Sequence, residues 1–320
     1  MTIILPAYER ALTTRLAIRS ALDQTYDSFV LRIGDDSASD DVLSIVREFD
    51  DPRIQYHRNE RRLGPRGNWA ALLRSARTPF VASLNDDDEW LPEFLERLVP
   101  PMVRHEEVAM SFGDYWLMDE HGRTLDTPTD ELAVRTRRNI MREGIYGRDR
   151  PAGLQLVAAW NAPQPALCAV LRTSMVAGIE FPPEVVSIHD MWLSYQIVMQ
   201  GGWFYYTPER LSRYRLHPAS LTQTVGFAPE EDYVFDRIIA ENPDERLVLN
   251  DIEDYRAYLR WGRAGRMMTS GERVSSQREL LAAAPRLRGL RGLLANVAGR
   301  SSLVWRGFAG IQTIRHRHDR

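Results

Sequence analysis

The sequence contains no lysine, so all 41 of its lysine and arginine residues are arginine. Without lysine, the protein cannot form a Schiff base through a lysine side chain, and it cannot supply the lysine of a phosphate-binding P-loop. It has one cysteine, Cys168, which excludes an internal disulfide bond and a metal site built from several cysteines. These absences exclude several classes of enzyme before any motif is considered.

Long apolar runs are missing as well. No stretch reaches the roughly 18 apolar residues that a membrane-spanning helix needs, so we expect no such helix. The first residues lack a basic stretch followed by an apolar one, which predicts no signal peptide. The net charge of -3 provides no overall basic field for nucleic acid. We therefore expect a cytoplasmic protein that does not bind nucleic acid.

The first hundred residues alternate short apolar runs with amphipathic stretches. The apolar runs predict strands over residues 2–5, 29–34, 53–57 and 80–84. The amphipathic stretches predict helices over residues 11–24, 40–49 and 68–76. Strands that alternate with helices imply an α/β fold, with a mixed, mainly parallel sheet flanked by helices.

The rest of the chain has a less regular pattern. It predicts strands over residues 111–118, 166–172 and 203–207, and helices over residues 188–199, 232–240 and 253–268. We expect one α/β domain over residues 1–225, followed by a helical carboxyl-terminal extension over residues 226–320.

Two acidic clusters directly follow predicted strands. Asp35 and Asp36 follow the second strand, and Asp86, Asp87 and Asp88 follow the fourth. Open α/β sheets bind ligands beyond the carboxyl ends of their strands. Three adjacent carboxylates repel one another, and a divalent cation that substrate phosphates help to coordinate would offset that repulsion. The alternative for the second cluster is a helix cap, which also suits acidic residues ahead of Pro92.

Three further residues have one functional and one structural interpretation each. Asp36 suits a hydrogen bond to a base or a ribose, although neighbouring polar residues would equally cap the next helix. Asp190 suits a general base, or a carboxylate stabilised by a helix dipole. His217, after two arginines, suits a diphosphate or metal contact, or a structural role in its loop. Spacing alone does not decide among these interpretations.

Several motifs in register resemble those of family 2 glycosyltransferases, over about residues 1–220. The motifs that carry the resemblance are Ile3-Ile4-Leu5-Pro6-Ala7-Tyr8, Gln24-Thr25-Tyr26, Gly34-Asp35-Asp36-Ser37, and Asp86-Asp87-Asp88 with Glu89-Trp90-Leu91-Pro92. The resemblance implies a GT-A fold, which is Rossmann-like, with a nucleotide-binding half over residues 1–105 and an acceptor-binding half over residues 106–225.

The resemblance also implies roles for individual residues. For the donor nucleotide it implies contacts from Pro6, Ala7, Tyr8, Asp36, Arg66, Asn68, Asp86 and Arg215. The acidic run would be the family's DXD motif, and the metal ligands would be Asp87, Asp88 and His217, holding Mn²⁺ or Mg²⁺. Asp190 would be the catalytic base, in a His189-Asp190 pair where the family often has Glu-Asp.

Together these features predict an inverting glycosyltransferase that moves one sugar from a nucleotide-diphosphate sugar to a hydroxyl acceptor. The processive members' Gln-x-x-Arg-Trp motif is absent, because Ala257 precedes Arg260-Trp261 where glutamine would stand. A UDP- or dTDP-sugar is the expected donor, and a saccharide, a lipid-linked molecule or a small molecule the expected acceptor. The alternatives are a nucleotidyltransferase acting on sugar phosphates and a non-catalytic sugar-nucleotide-binding protein. A phosphohydrolase fits less well, because Pro6-Ala7-Tyr8 stands where its nucleophilic aspartate would follow the first strand.

The carboxyl-terminal residues from Arg286 onward are rich in arginine and have an amphipathic pattern. The apolar positions are Leu287, Leu290, Leu293, Leu294 and Val297. Such a segment suits peripheral contact with the anionic inner face of a membrane. The alternative is a helix packed on the rest of the protein with its arginines in solvent. A homo-oligomer is compatible with either interpretation.

Overall fold

The structure is a computed structural model that describes residues 1–217, 228–287, 289–301 and 304–305. The chain divides into two compact units, Met1–Val234 and Phe235–Arg320. The expected domain boundary at residue 225, the end of the family resemblance at 218–220 and the last part of the basic tail lie outside the described residues.

The described residues of the first unit form one nine-stranded sheet. Its strands are β1 Thr2–Ala7, β2 Val30–Asp35, β3 Ile54–Arg58, β4 Phe80–Ser83, β5 Glu89–Trp90, β6 Val108–Met118, β7 Gly144–Tyr146, β8 Ala169–Arg172 and β9 Trp203–Arg215. The order along the sheet is β3-β2-β1-β4-β8-β6-β9-β5, and β7 pairs with β9. Strands β3, β2, β1 and β4 are parallel, whereas β8 runs antiparallel between β4 and β6.

Helices cover the sheet. Those of the first unit are α1 Ala11–Leu22, α2 Asp41–Arg47, α3 Gly64–Ser75, α4 Phe94–Arg104, α5 Asp126–Arg135, α6 Arg150–Leu154, α7 Pro165–Cys168, α8 Thr173–Val176 and α9 His189–Met199, and α10 Ala228–Glu241 leads into the second unit. Strand β1 shows why both faces are covered: Ile3, Ile4 and Leu5 are all fully buried. A nearly continuous apolar strand of this kind is typical of a parallel sheet packed on both sides.

The predicted elements differ from the observed ones mainly at their ends. The strand predicted over residues 166–172 begins only at Ala169, because Pro165 starts a helical turn in which its missing N–H costs nothing. The strand predicted over residues 203–207 continues to Arg215, because β9 pairs with β6 along its length, through register shifts on either side of Asp114.

The sheet brings the carboxyl ends of several strands to one edge. Strand β6 is antiparallel to β8, and β8 is antiparallel to β4, so β6 runs in the same direction as β4. Strand β9 is parallel to β6 and therefore ends at the same edge. The segments that follow β1, β2, β4 and β9 consequently meet there, and they carry most of the residues predicted for the site.

The second unit is helical. Its helices α11 Arg246–Thr269, α12 Arg273–Ala283 and α13 Gly289–Arg300 pack around a small apolar cluster, formed by Ala264, Met268, Leu280, Ala295, Ala298 and Trp305. Leu290, Leu293 and Val297 of α13 are exposed, at 69%, 61% and 40%. In the described part of the chain, no helix is both long and apolar enough to cross a membrane.

Candidate active site

The acidic segment that follows β4 is the centre of the candidate site. Asp86 accepts hydrogen bonds from the Tyr8 N–H at 2.8 Å and from Arg10 Nη1 at 3.0 Å. The same Arg10 nitrogen lies 2.8 Å from Asp87 Oδ2, and His217 Nε2 lies 3.0 Å from that oxygen. Residues that follow β1, β4 and β9 therefore meet around two adjacent carboxylates.

Asp88 points away from this cluster. It is almost fully buried, and its two oxygens accept hydrogen bonds from the Arg215 N–H and from the Asn85 amide, both at 2.9 Å. Because protein groups already hold both oxygens, Asp88 anchors the acidic segment to β9. This geometry favours a structural role over the metal-ligand role that was predicted for Asp88.

Charge and burial act together on the acidic segment. Burial and the nearby Asp87 raise the pKa of Asp86, and the same two causes raise the pKa of Asp88. Burial by itself would lower the pKa of Arg10, but Asp86 and Asp87 raise it overall. The segment thus holds more negative charge than it readily tolerates, and it favours a cation close by.

Arg215, which was predicted to contact the nucleotide, bonds to other residues of the protein. Its side chain is 4% exposed and donates to the Asp87 carbonyl at 2.9 Å and to the Glu120 carbonyl at 3.2 Å. It also forms an ion pair with Glu89. Through these contacts Arg215 helps to hold the acidic segment in place.

The ends of β1 and β2 form the side of the site that was predicted to bind the nucleoside. Tyr8 is 39% exposed, and the Arg62 guanidinium lies 4.3 Å from the centre of its ring. The carboxylate of Asp36 is buried and accepts from the N–H groups of Leu63 and Gly64, each at 2.8 Å, and from the Asn59 amide at 3.0 Å. Asp36 thus fixes the start of α3, while the side chain of Tyr8 is exposed to solvent.

The remaining residues predicted near the nucleoside support the surrounding structure. Asn68 is buried and donates to the Gly34 carbonyl at 2.7 Å. Arg66 donates to the carbonyls of Pro182 and Val185 at 2.6 and 3.0 Å, which ties α3 to the segment that leads into α9. Pro6 and Ala7 belong to β1, where the Ala7 carbonyl accepts from the Asp36 N–H at 2.9 Å.

Asp190 lies in the first turn of α9, with a side chain that is 25% exposed. Its Oδ1 accepts a hydrogen bond from the Ala166 N–H at 3.1 Å and lies 3.9 Å from His189 Nε2. Burial raises the pKa of Asp190, while His189 and the Ala166 N–H oppose that rise. A carboxylate with a raised pKa is a stronger proton acceptor, which suits a general base.

Two chains of contacts connect Asp190 with the acidic segment. In the first, Trp69 donates from its indole N–H to Ser83 Oγ at the end of β4, at 2.9 Å, and its ring lies 4.8 Å from the ring of His189. In the second, the Trp90 indole donates to the Leu167 carbonyl at 3.2 Å, next to the Ala166 that binds Asp190. Asp190 is thus linked through intermediate residues to Ser83 and Trp90, which lie on either side of the acidic segment in the chain.

The donor set of Asp87 and His217 fits a divalent cation that a ligand completes. Within the described residues, no group of three or more His, Cys, Asp or Glu side chains is arranged to hold a metal ion. Mg²⁺ sites commonly use one or two carboxylates together with substrate phosphates, and imidazole suits several transition metals. A carboxylate and an imidazole 3.0 Å apart therefore suit Mn²⁺ or Mg²⁺ when a diphosphate supplies the other ligands.

Sequence reasoning missed Arg10 and Arg62. Both belong to irregular stretches that carry no motif, and their importance depends on which residues the fold brings next to them.

A mixed, mainly parallel sheet flanked by helices is the arrangement of the GT-A fold, and solved structures share this fold. The S. aureus protein TarS, residues 1–349 in complex with UDP-GlcNAc, aligns with a TM-score of 0.67 and 13% identity over 100% of this chain and 92% of that chain. The mannosyltransferase PcManGT from Pyrobaculum calidifontis, in complex with GDP-Man and Mn²⁺, aligns with a TM-score of 0.60 and 15% identity over 98% of this chain and 86% of that chain.

Residues 2–154 match the model of glycosyl transferase family 2. One curated relative is the Escherichia coli UDP-Glc:alpha-D-GlcNAc-diphosphoundecaprenol beta-1,3-glucosyltransferase WfgD, 32% identical over 38% of this chain and 47% of the relative. Another is the Campylobacter jejuni GalNAc(5)-diNAcBac-PP-undecaprenol beta-1,3-glucosyltransferase, 35% identical over 36% of this chain and 37% of the relative. The aligned part thus spans less than half of the length of each relative.

Proposed function

We propose that this protein transfers a single sugar from a nucleotide-diphosphate sugar to a hydroxyl group of a lipid-linked saccharide, with inversion at the anomeric carbon. The observation that carries the proposal is the cluster of Asp86, Asp87 and His217 at the carboxyl edge of the sheet, with Asp190 linked through intermediate residues to both ends of the acidic segment. The match of residues 2–154 to the model of glycosyl transferase family 2 supports the transfer of a sugar.

The donor would bind across the ends of β1 and β4. The exposed ring of Tyr8 suits stacking against a base, and Arg62 lies over the same ring. Asp86 accepts a hydrogen bond from the Tyr8 N–H, so its carboxylate lies next to the residue that carries this ring, which supports a contact from Asp86 to the ribose. A UDP-sugar is the donor that we favour, because the name of the E. coli relative specifies UDP-Glc.

The diphosphate would lie next to Asp87 and His217. These two side chains would hold a Mn²⁺ or Mg²⁺ ion together with diphosphate oxygens. Such an ion offsets the negative charge that the departing nucleoside diphosphate acquires. Arg215 contributes indirectly, because it holds the Asp87 carbonyl and thereby fixes the segment that carries these ligands.

Asp190 would be the catalytic base. It would take the proton from the acceptor hydroxyl while that oxygen attacks the anomeric carbon on the face opposite the departing diphosphate. The bond to the acceptor oxygen forms as the bond to the diphosphate breaks, so the configuration inverts. A base positioned in this way typically contributes about 10²- to 10⁴-fold in rate.

The acceptor that we favour is linked to a polyprenyl diphosphate. The names of two curated relatives specify diphosphoundecaprenol or PP-undecaprenol acceptors, which are membrane lipids. On α13, the exposed side chains of Leu290, Leu293 and Val297 are spaced at one face of the helix, and Arg291 and Arg300 are exposed on the same helix. A helix with exposed leucines and arginines suits binding at the surface of an anionic membrane. We therefore place the enzyme at the inner face of a membrane.

A transfer assay tests the proposal. The full chain would be incubated with Mn²⁺, a panel of UDP- and dTDP-sugars and a synthetic polyprenyl-diphosphate-linked sugar. Release of the nucleoside diphosphate and the mass and configuration of the product would be measured. Asp190→Asn should abolish transfer but keep donor binding, whereas the control Glu184→Gln, an exposed carboxylate near α9, should stay active. Release of pyrophosphate from a nucleoside triphosphate and a sugar phosphate would instead indicate a nucleotidyltransferase.

A further inference from the structure

Arg10 immediately precedes α1 and lies over the acidic segment. One of its terminal nitrogens, Nη1, is 3.0 Å from Asp86 Oδ1 and 2.8 Å from Asp87 Oδ2. A single guanidinium nitrogen thus bridges two carboxylates that belong to different residues. It occupies the position at which a cation would offset their charge.

Two side chains contact the same oxygen of Asp87. Asp87 Oδ2 accepts from Arg10 and also lies 3.0 Å from His217 Nε2. A divalent cation binds at about 2 Å from its oxygen ligands. At this oxygen it would come close to the guanidinium of Arg10, and two positive charges at such a distance repel each other. Arg10 and a bound cation therefore compete for Asp87.

The side chain of Arg10 can move away from the acidic segment more easily than Asp86, Asp87 or Arg215, because it is the most exposed of the four. Its side chain is 30% exposed, whereas the side chains of Asp86 and Asp87 are 7% and 12% exposed. Arg215, another arginine close to this segment, is 4% exposed and is held by backbone carbonyls. Of these two arginines, Arg10 is therefore the more exposed to solvent.

We propose that Arg10 is an internal cation that occupies the Asp86–Asp87 pair until the donor binds, and that it is displaced from Asp87 when a divalent cation enters with the diphosphate. This inference rests on the proposed function. Displacement leaves the guanidinium next to an incoming diphosphate, to which it can donate two hydrogen bonds. Arg10 therefore makes the free enzyme a poor binder of the metal alone and couples metal binding to donor binding.

A static salt bridge would behave differently. If Arg10 stayed on the two carboxylates in every state, removing its charge would tighten Mn²⁺ binding by the same factor with and without UDP. If Arg10 competes with the cation, removing its charge makes the site bind the metal alone more tightly. It also removes a contact from the complex with metal and diphosphate.

The test measures Mn²⁺ binding to the full chain by electron paramagnetic resonance, with and without UDP. The variants are Arg10→Gln and a control, Arg15→Gln, whose arginine pairs with Glu48 on the exposed side of α1. We expect Arg10→Gln to bind Mn²⁺ alone about tenfold more tightly than the wild type, or more. UDP should then improve Mn²⁺ binding less than it does in the wild type, and Arg15→Gln should match the wild type in both measurements.

The outcomes separate this inference from the proposed function. If Arg10→Gln binds Mn²⁺ alone no more tightly than the wild type, while both still bind Mn²⁺ with UDP, the internal cation is refuted and the proposed function stands. If no variant binds Mn²⁺ or UDP, both fail. Should Arg10→Gln not fold, Arg10→Met serves instead, because methionine keeps an unbranched side chain but carries no charge. It should also bind Mn²⁺ alone about tenfold more tightly than the wild type, and equal affinity would refute the inference.

Discussion

Asp190→Asn should stop sugar transfer and at the same time stabilise the fold. Asp190 is largely buried, and burial raises the pKa of its carboxyl group. Its ionised form is therefore less favourable in the folded protein than in the unfolded chain. Asparagine has almost the same shape, carries no charge and can still accept the hydrogen bond that the Ala166 N–H donates at 3.1 Å.

The pH dependence of this effect has a definite sign. Because the folded pKa of Asp190 exceeds the unfolded value of about 3.9, the folded protein binds the proton more tightly. The wild type should thus lose free energy of unfolding relative to Asp190→Asn as the pH rises from about 4 through the folded pKa. Above that pKa the difference should be constant, and a pKa raised by one corresponds to about 1.4 kcal/mol.

Urea unfolding at pH 4 and pH 8, together with kcat from the transfer assay, measures both effects. We expect equal stability of the two proteins near pH 4, a more stable Asp190→Asn at pH 8, and a loss in kcat of about 10²- to 10⁴-fold. Glu184→Gln, which removes an exposed carboxylate nearby, should change neither quantity. An Asp190→Asn variant that is active, or that is less stable than the wild type at pH 8, would refute the reasoning.

Three other perturbations test the remaining parts of the site and the proposed membrane contact. Arg215→Ala should lower the free energy of unfolding by about 3–5 kcal/mol, measured by urea unfolding, because it removes a buried guanidinium that pairs with Glu89 and binds the carbonyls of Asp87 and Glu120. Tyr8→Ala should weaken UDP binding in calorimetry by about 1–3 kcal/mol, the usual contribution of base stacking, and unchanged affinity would remove Tyr8 from the nucleoside site. Leu293→Asp should reduce cosedimentation with anionic vesicles, whereas Leu247→Asp, at a position 84% exposed on α11, should not; equal losses would contradict a specific contact through α13.

The location and parallel direction of the first strands follow from local patterns that can be recognised in the sequence. Apolar runs such as Ile3–Leu5 mark buried strands, and their alternation with amphipathic stretches sets the parallel direction. Once β1, β2 and β4 are parallel, the acidic residues after them must share an edge. The neighbourhood of Asp36 and Asp86 was predictable for that reason.

The roles of the individual polar residues could not be predicted in the same way. Asp87 and Asp88 are adjacent residues of the same type. Asp87 contacts Arg10 and His217, whereas Asp88 is buried against the backbone of β9. Arg215 appeared to be a ligand contact, but the fold buries it against carbonyl groups. Such roles depend on which atoms come within about 3 Å of one another across the sheet. The local sequence pattern does not specify these contacts.

Arg10 illustrates the same limit. It lies 76 and 77 positions before the two carboxylates that it bridges, in a loop without a motif. Only the parallel pairing of β1 with β4 brings these residues together.

The central claim is that Asp87 and His217 bind a divalent cation together with the donor's diphosphate. Calorimetric titration of UDP, with and without Mn²⁺, into the wild type and into Asp87→Asn tests it most directly. Mn²⁺ should tighten UDP binding to the wild type at least tenfold and should have little effect on Asp87→Asn. The same enhancement in both proteins, or none in the wild type, would contradict the claim.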